Sequence, residues 1–465
     1  MTMSARFKAV FFDKKFLTTL FTIALPIMLQ NFLSAFVNIL DTVMIGKLGT
    51  IELAAVGLGN QLFFLLNLIL YGIGSGSMVF TAQFWGKKDF KGFQIASAHT
   101  DSPCFKIKGE RPEIEEGELY VKLNVEGYGG MLMAPWFDRP LSVAGRVVVS
   151  EECDEAGGQV RLSTKLVNID RDLLMIPNLA IHMNRKANDG IALNVQNDLL
   201  PLFSQKGSKG EFMELVADSA GVCKDNIVGS DLFLYNRMKP TFWGARNEFF
   251  SAPHIDDLQC VFSAMQALIS SESRDAVPMF VAFDNEEVGS ETKQGASSTF
   301  LSDTINRIGE ACGKSSSDIA KLIASSMMVS ADNAHAVHPN ASSKADPINR
   351  PEMNKGIVIK HSANQKYTTD AVSAAMFKQI CKRAEVPYQE FANRSDMAGG
   401  STLGNISSAQ VSLNTVDIGL AQLAMHSPYE TAGSEDTDYL IKVLKCFYET
   451  VVVFDGAGSY SLSFN

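Results

Sequence analysis

The chain contains no C-x-x-C pair; its seven cysteines are odd in number and widely scattered. That pattern argues against a disulfide scaffold and a cysteine-ligated zinc, and it suits a reducing compartment. H-E-x-x-H and G-x-S-x-G are both missing, so the helical zinc-protease motif and the serine-hydrolase elbow are absent. Gly309-Glu-Ala-Cys-Gly313-Lys314-Ser315 falls short of a phosphate loop, with three residues between its glycines where four are needed. It reads as a helix C-cap. No repeat at a period of about 20 to 50 residues is visible. Low charge (20%) and high apolar content (46%) exclude bulk disorder, and 465 residues exceed any single small stapled module.

Charge is unevenly spread. Residues 1–91 hold eight Lys and Arg against four Asp and Glu, which leaves 33 against 47 in the remainder. An acidic body without a Lys/Arg cluster is a poor partner for phosphate backbones, so no nucleic acid is expected. In the basic head, Phe16 to Leu40 and Leu53 to Gly86 are free of charge over 25 and 34 residues; about 20 suffice to span a membrane. The first run is longer than a signal-peptide core and a second follows it. A pair of buried soluble helices is the alternative, although such helices normally show a polar stripe. Positive charge flanks the outer ends (Arg6, Lys8, Lys14, Lys15; Lys87, Lys88, Lys91), whereas the connecting loop has only Lys47. The expectation is a membrane-associated hairpin through 16–40 and 53–86, with the body on the cytoplasmic side. Gly72-Ile-Gly74-Ser-Gly76 lies within an apolar run and reads as small residues for helix packing.

The segments "LPIMLQNFLSAFVNILDTVMIGKLG", "AAVGLGNQ" and "AQFWGKKD" resemble the start of a multidrug and toxin extrusion transporter, over about residues 14–91. Two helices cannot form an alternating-access pathway, so the resemblance implies an anchor or a displaced fragment, not transport.

After Lys91 several apolar runs end in polar groups: "GFQIASAH" at His99, "VPMFVAFDNEEVGS" at Asp284, Glu286 and Glu287, "SSMMVSADNAHAVHPN" at Asp332, His335 and His338, and "LNTVDIGLAQLAMHSPYE" at His426 and Glu430. Helical periodicity separates them. Leu258, Val261, Phe262, Met265, Leu268 and Ile269 recur at three and four, after Asp256 and Asp257 as helix caps. Strands alternating with helices predict an α/β sheet whose sites form at the carboxyl ends of strands. Residues 110–240 instead alternate as strands, with Val121, Leu123 and Val125 on one face, and predict an inserted β-rich domain.

One histidine at a strand end is ordinarily structural. Here two histidines (His99, His426) and four carboxylates (Asp256, Glu286, Glu287, Asp332) come from separate strand ends, with no arginine beside them in sequence. Mixed imidazole and carboxylate donors suit zinc.

Nine ordered blocks, among them "SAHTDSPCFKIKG", "SAPHIDDLQC", "FDNEEVGS", "SADNAHAVHPN", "RSDMAGGSTLG" and "LAMHSPYE", resemble the aspartyl aminopeptidase and aminopeptidase I family over about residues 92–450. The resemblance implies an α/β zinc-exopeptidase domain (92–109 and 241–465) interrupted by a β-rich dimerisation domain (110–240), preceded by the two transmembrane helices of 1–91. It implies two zinc ions per subunit and a homo-oligomer built from dimers into a dodecamer. His99 and Asp332 would hold one zinc, Glu287 and His426 the other, and Asp256 both. Asp101 would orient an imidazole, and Glu286 would be the general base acting on peptide substrates. Lys360 and His335 would line the substrate pocket, and His182 would reach a neighbouring subunit. Lys360 would favour acidic first residues; alternatively it pairs with a nearby aspartate. Relatives carry about 70 to 90 residues before the H-T-D block that complete the sheet, and transporter-like text stands there instead. Besides an active aminopeptidase, an inactive or non-natural fusion therefore remains as the second reading.

Overall fold

The computed structural model describes residues 90–152, 160–273, 275–456 and 458–464. The chain divides into Met1–Ala82 and Gln83–Asn465, and every described residue belongs to the second unit. No helix among the described residues is long and apolar enough to cross a membrane. The hairpin expected at 16–40 and 53–86 lies outside the described residues. Six cysteines are described, all free thiols.

A six-stranded sheet organises the fold in the order Val277–Phe283, Phe93–His99, Met327–Ala331, Asn414–Gly419, Ile357–His361, Tyr388–Ala392. The first four run parallel, and Ile357–His361 is antiparallel to Asn414–Gly419. All seven residues of Phe93–His99 are buried, because strand alternation sends successive side chains to opposite, covered faces. Phe93 and Ile95 join one core with Leu301, Ile305 and Ile319. Ala96 and Ala98 join the other with Phe377, Leu440 and Leu444. Parallel strands bring four carboxyl ends to one edge, as the sequence predicts. Asn414–Gly419 finishes close against its neighbour: a Cβ on Gly419 would lie 2.0 Å from the Asp332 carbonyl oxygen.

The helix Ile255–Ser270 forms where periodicity places it but turns the other way. Its buried face is Gln259, Cys260, Ser263, Ala264 and Ala267, while Leu258, Phe262, Met265 and Ile269 are 41–52% exposed. Small side chains permit close packing against the helix Asp436–Tyr448 and the sheet, so compactness outranks side-chain size here. Asp256 and Asp257 are non-helical and stand immediately before the regular part of Ile255–Ser270, but their carboxylates are turned elsewhere: Asp257 Oδ2 accepts the backbone N–H of His99 and Asp256 faces the two histidines.

The second large sheet is antiparallel, in the order Val125–Tyr128, Cys104–Ile107, Ile227–Asn236, Leu141–Glu152, Val160–Asn168. Cys104–Ile107 thus pairs into this sheet although it precedes residue 110. Val121, Leu123 and Val125 are all buried, as the alternation predicts, but the strand itself is interrupted at Asn124, which is bonded across to Pro112 and Lys108. Tyr120–Leu123 consequently pairs with Glu113–Glu116 and Leu202–Gln205 in a separate small sheet. A further five-stranded sheet, containing Phe249–Ala252, Glu430–Gly433 and Ala334–His335, abuts the carboxyl edge of the central one.

Candidate metal centre

Each strand end delivers one donor. His99 is the last residue of its strand, Asp332 follows Met327–Ala331, and Asp256 follows Phe249–Ala252 by four residues. Glu286 and Glu287 enter on a 3-10 turn that begins after Asn285, whose φ of 59° swings the chain sharply off the strand. His426, at φ 65°, is brought in by the loop after Ala421–Leu423. Three groups have their donor atoms within 4.8 Å of one another: two triads that share Asp256, namely His99, Asp256 and Asp332, and Asp256, Glu287 and His426; and a third group of His99, Glu286 and Glu287. Asp256 Oδ1 lies 3.7 Å from His99 Nε2 and its Oδ2 3.4 Å from His426 Nε2. Asp332 Oδ1 is 4.0 Å from His99 Nε2, and Glu287 Oε1 is 3.4 Å from His426 Nε2.

Both imidazoles are oriented by carbonyls. His99 Nδ1 lies 3.0 Å from the Asp101 carbonyl and His426 Nδ1 2.6 Å from that of Gly130. A carbonyl only accepts, so each Nδ1 carries a hydrogen and each Nε2 is the ring atom turned to the carboxylates, available to a cation once it gives up its own proton. The Asp101 carboxylate accepts the backbone N–H groups of Glu286 (3.0 Å) and Glu287 (3.1 Å). It therefore fixes the turn that carries both glutamates, as well as lying 3.5 Å from His99 Nδ1.

Acid exceeds base in this space. Burial pushes Glu286 up to about 7, reinforced by Asp332, and Glu287 up to about 9 despite His426. Burial also raises Asp332 and, more strongly, Asp257. For Asp256 burial is outweighed by His426 and His99, which lower it. Burial opposes protonation of His426, but Asp256 and Glu287 still lift it to about 9. Asp256 Oδ1 and Glu287 Oε1 are buried without a hydrogen-bond partner. Orphaned oxygens among repelling carboxylates, beside two imidazole Nε2 atoms, fit a divalent cation of borderline softness such as zinc.

The same shifts fix a pH response. Glu286, Glu287 and His426 all have folded values above their unfolded ones. The metal-free folded state therefore binds more protons than the unfolded state, and stability falls as pH rises from about 4.5 to about 9. Thermal unfolding of chelator-treated protein should show a midpoint that drops between pH 5 and pH 9, and added zinc should restore it most at the alkaline end. A metal-free midpoint that climbs over this range would refute the charge assignment.

Of the substrate-pocket candidates, His335 and Lys360 line a cavity of about 130 Å³ together with His99, Asp256, Glu286 and Asp332. Lys360 is buried, donates to the Asn333 carbonyl at 2.8 Å and lies 3.5 Å from Asp332 Oδ2, so it both borders the cavity and pairs with an aspartate. His182 sits on an exposed turn and is not among the residues lining this cavity. Sequence reading missed Asp257, whose Oδ2 accepts the His99 N–H at 3.2 Å. It also missed what Glu430 does: its carboxylate accepts the backbone N–H groups of Asp256 (2.9 Å) and His426 (2.7 Å). Only the position of Glu430, four residues after His426, signalled it.

Residues 74–448 match the family described as Aminopeptidase I zinc metalloprotease (M18). Residues 26–100 match MatE, in line with the transporter-like head, and the two matches overlap. A "Probable M18 family aminopeptidase 2" of Clostridium acetobutylicum is 46% identical over 82% of this chain and 85% of its own length. Among solved structures, a chain of the Ape4 and Nbr1 complex superposes with a TM-score of 0.72 at 36% identity, covering 77% of this chain and 72% of its own. The S. cerevesiae mApe1 dodecamer gives 0.64 at 26% identity, covering 76% and 79%. A family match over that much of the length, with a relative at 46% identity, is decisive: the chain belongs to the M18 aminopeptidase I zinc metalloproteases.

Proposed function

We propose that this zinc aminopeptidase works with two zinc ions per subunit and removes N-terminal residues, acidic ones by preference, from peptides. The observation that supports a pair of ions is Asp256, whose two oxygens face two histidines, each with its own second carboxylate. His99 and Asp332 would hold one ion, Glu287 and His426 the other, and Asp256 would join them. When bound, the ions supply electrophilic polarisation of the scissile carbonyl and lower the pKa of water from 15.7 toward about 7. Glu286, on the cavity wall, accepts the proton of the attacking water and returns it to the leaving amine. Asp101 holds the Glu286–Glu287 turn and the His99 imidazole in register.

Lys360 is kept protonated by Asp332 and other carboxylates although burial opposes it, so it places a cation in the cavity wall beside His335, which burial and Lys360 hold toward its neutral form. An acidic first side chain is the complement of that wall. A homo-oligomer is also proposed: one solved relative is a dodecamer, and exposed Leu162 and Leu166 on the edge strand Val160–Asn168 offer apolar surface for a neighbour. In such an assembly the exposed His182 would serve an adjacent subunit's cavity.

Elemental analysis of purified protein should find two zinc equivalents per chain, and aspartyl amides should be cleaved at least about tenfold faster than leucyl amides, since a charged complement is worth over 1 kcal/mol. One equivalent would overturn the paired-ion reading. Equal rates would overturn the acidic preference alone.

A further inference from the structure

The centre has a support that comes from outside the central sheet and its adjoining one. Tyr128 ends the strand Val125–Tyr128 of the second large sheet, and its hydroxyl donates to Asp101 Oδ2 at 2.7 Å. The phenol oxygen of Tyr128 in turn accepts from Asn285 Nδ2 at 2.8 Å. The Tyr128 ring stands edge-on to Phe233 of the same sheet, with centroids 5.5 Å apart, so the hydroxyl is aimed by packing. Asp101 is the carboxylate that touches His99 and holds the backbone of Glu286 and Glu287. One phenol therefore bears on a donor of each triad and on the general base.

The chain after Tyr128 continues the contact. Gly129, at φ 73°, passes so close that a Cβ would lie 3.0 Å from Glu287 Cβ. The Gly130 carbonyl sets the His426 tautomer, and Leu132 N–H donates to the His426 carbonyl at 3.0 Å. Four of the five residues 128–132, at the second sheet's border, thus brace Asp101, Glu287 and His426. Partners that orient ligands in this way typically change metal affinity by about 10- to 100-fold when removed.

We infer that Tyr128 is a positioning residue for the metal centre, through which the second sheet sets the zinc affinity of both triads by fixing Asp101. This rests on the two-ion reading above. The test is Tyr128→Phe in the full chain, which keeps the ring on Phe233 and deletes only the hydroxyl. Zinc affinity is measured by competition with a chromophoric chelator, alongside thermal unfolding of the metal-free protein. The expected result is zinc binding weakened about 10- to 100-fold, with metal-free unfolding unchanged, KM unchanged, and kcat recovered at saturating zinc. A second arm combines it with Asp101→Asn: if Tyr128 acts through Asp101, the double variant binds zinc no more weakly than Asp101→Asn alone. Wild-type affinity in Tyr128→Phe, or full additivity in the double variant, overturns the inference. A wild-type chain that retains no zinc overturns the reading on which it rests.

Discussion

Glu286→Gln should lower kcat by about 10² to 10⁴ while leaving zinc content at the wild-type level, because a general base contributes on that scale. The substitution is nearly isosteric. Glu286 is tied to its neighbours by its backbone N–H, which donates to Asp101, and that bond survives the change. Only the capacity to take up and return a proton is lost. Burial and the neighbouring Asp332 hold the carboxyl at about 7 in the metal-free chain. A bound cation would draw that value down and leave the group ionised at neutral pH, as a base must be. Rates at saturating substrate and zinc are the measurement. A loss under tenfold, or a loss explained by missing metal, would remove Glu286 from the proton-transfer role.

Asp256→Asn should have a still broader effect. Its carboxylate is the one group shared by both triads, and an asparagine presents an N–H₂ group to one histidine where an oxygen stood. We expect at least one zinc equivalent to be lost and activity to fall by more than about 10³, beyond the effect of losing a base alone. The metal-free protein should lose stability as well. Asp256 is 2% exposed, and although burial opposes its charge, His426 and His99 hold its carboxyl below the usual carboxylate range, so the fold favours the ionised form and an amide removes that attraction. The metal-free unfolding midpoint should fall. A variant that keeps both zinc equivalents would refute the bridging role, and a metal-free midpoint that stays level or rises would refute the charge assignment.

The proposed ligands and base were legible as candidates because each sits within a few residues of an apolar run, so the sequence displays strand and donor together. His99, Asp332 and the Glu286–Glu287 pair are of this kind. Their supports were not legible. Glu430 braces Asp256 across a separation of 174 residues, Asp257 reaches His99 across 158, and Tyr128 meets Asn285 across 157. Nothing local marks such contacts, since they exist only after sheets are stacked. The helix Ile255–Ser270 failed for a different reason. Its periodicity was sound, but two candidate faces were available and small residues won the inner one. Lys360 illustrates a third case, where competing readings proved compatible in geometry: it pairs with Asp332 and still borders the cavity.

Gly419 bears on how tolerance to mutation should be interpreted in this protein. Any side chain there would collide with the carbonyl of Asp332, and the strand could escape only by dragging a metal donor with it. Position 419 is not among the residues lining the cavity, yet it should tolerate substitution no better than a proposed ligand. Evolutionary rigidity around the centre therefore traces the clearance between backbones as much as the chemistry, and a map of fixed positions would overstate the size of the reacting machinery.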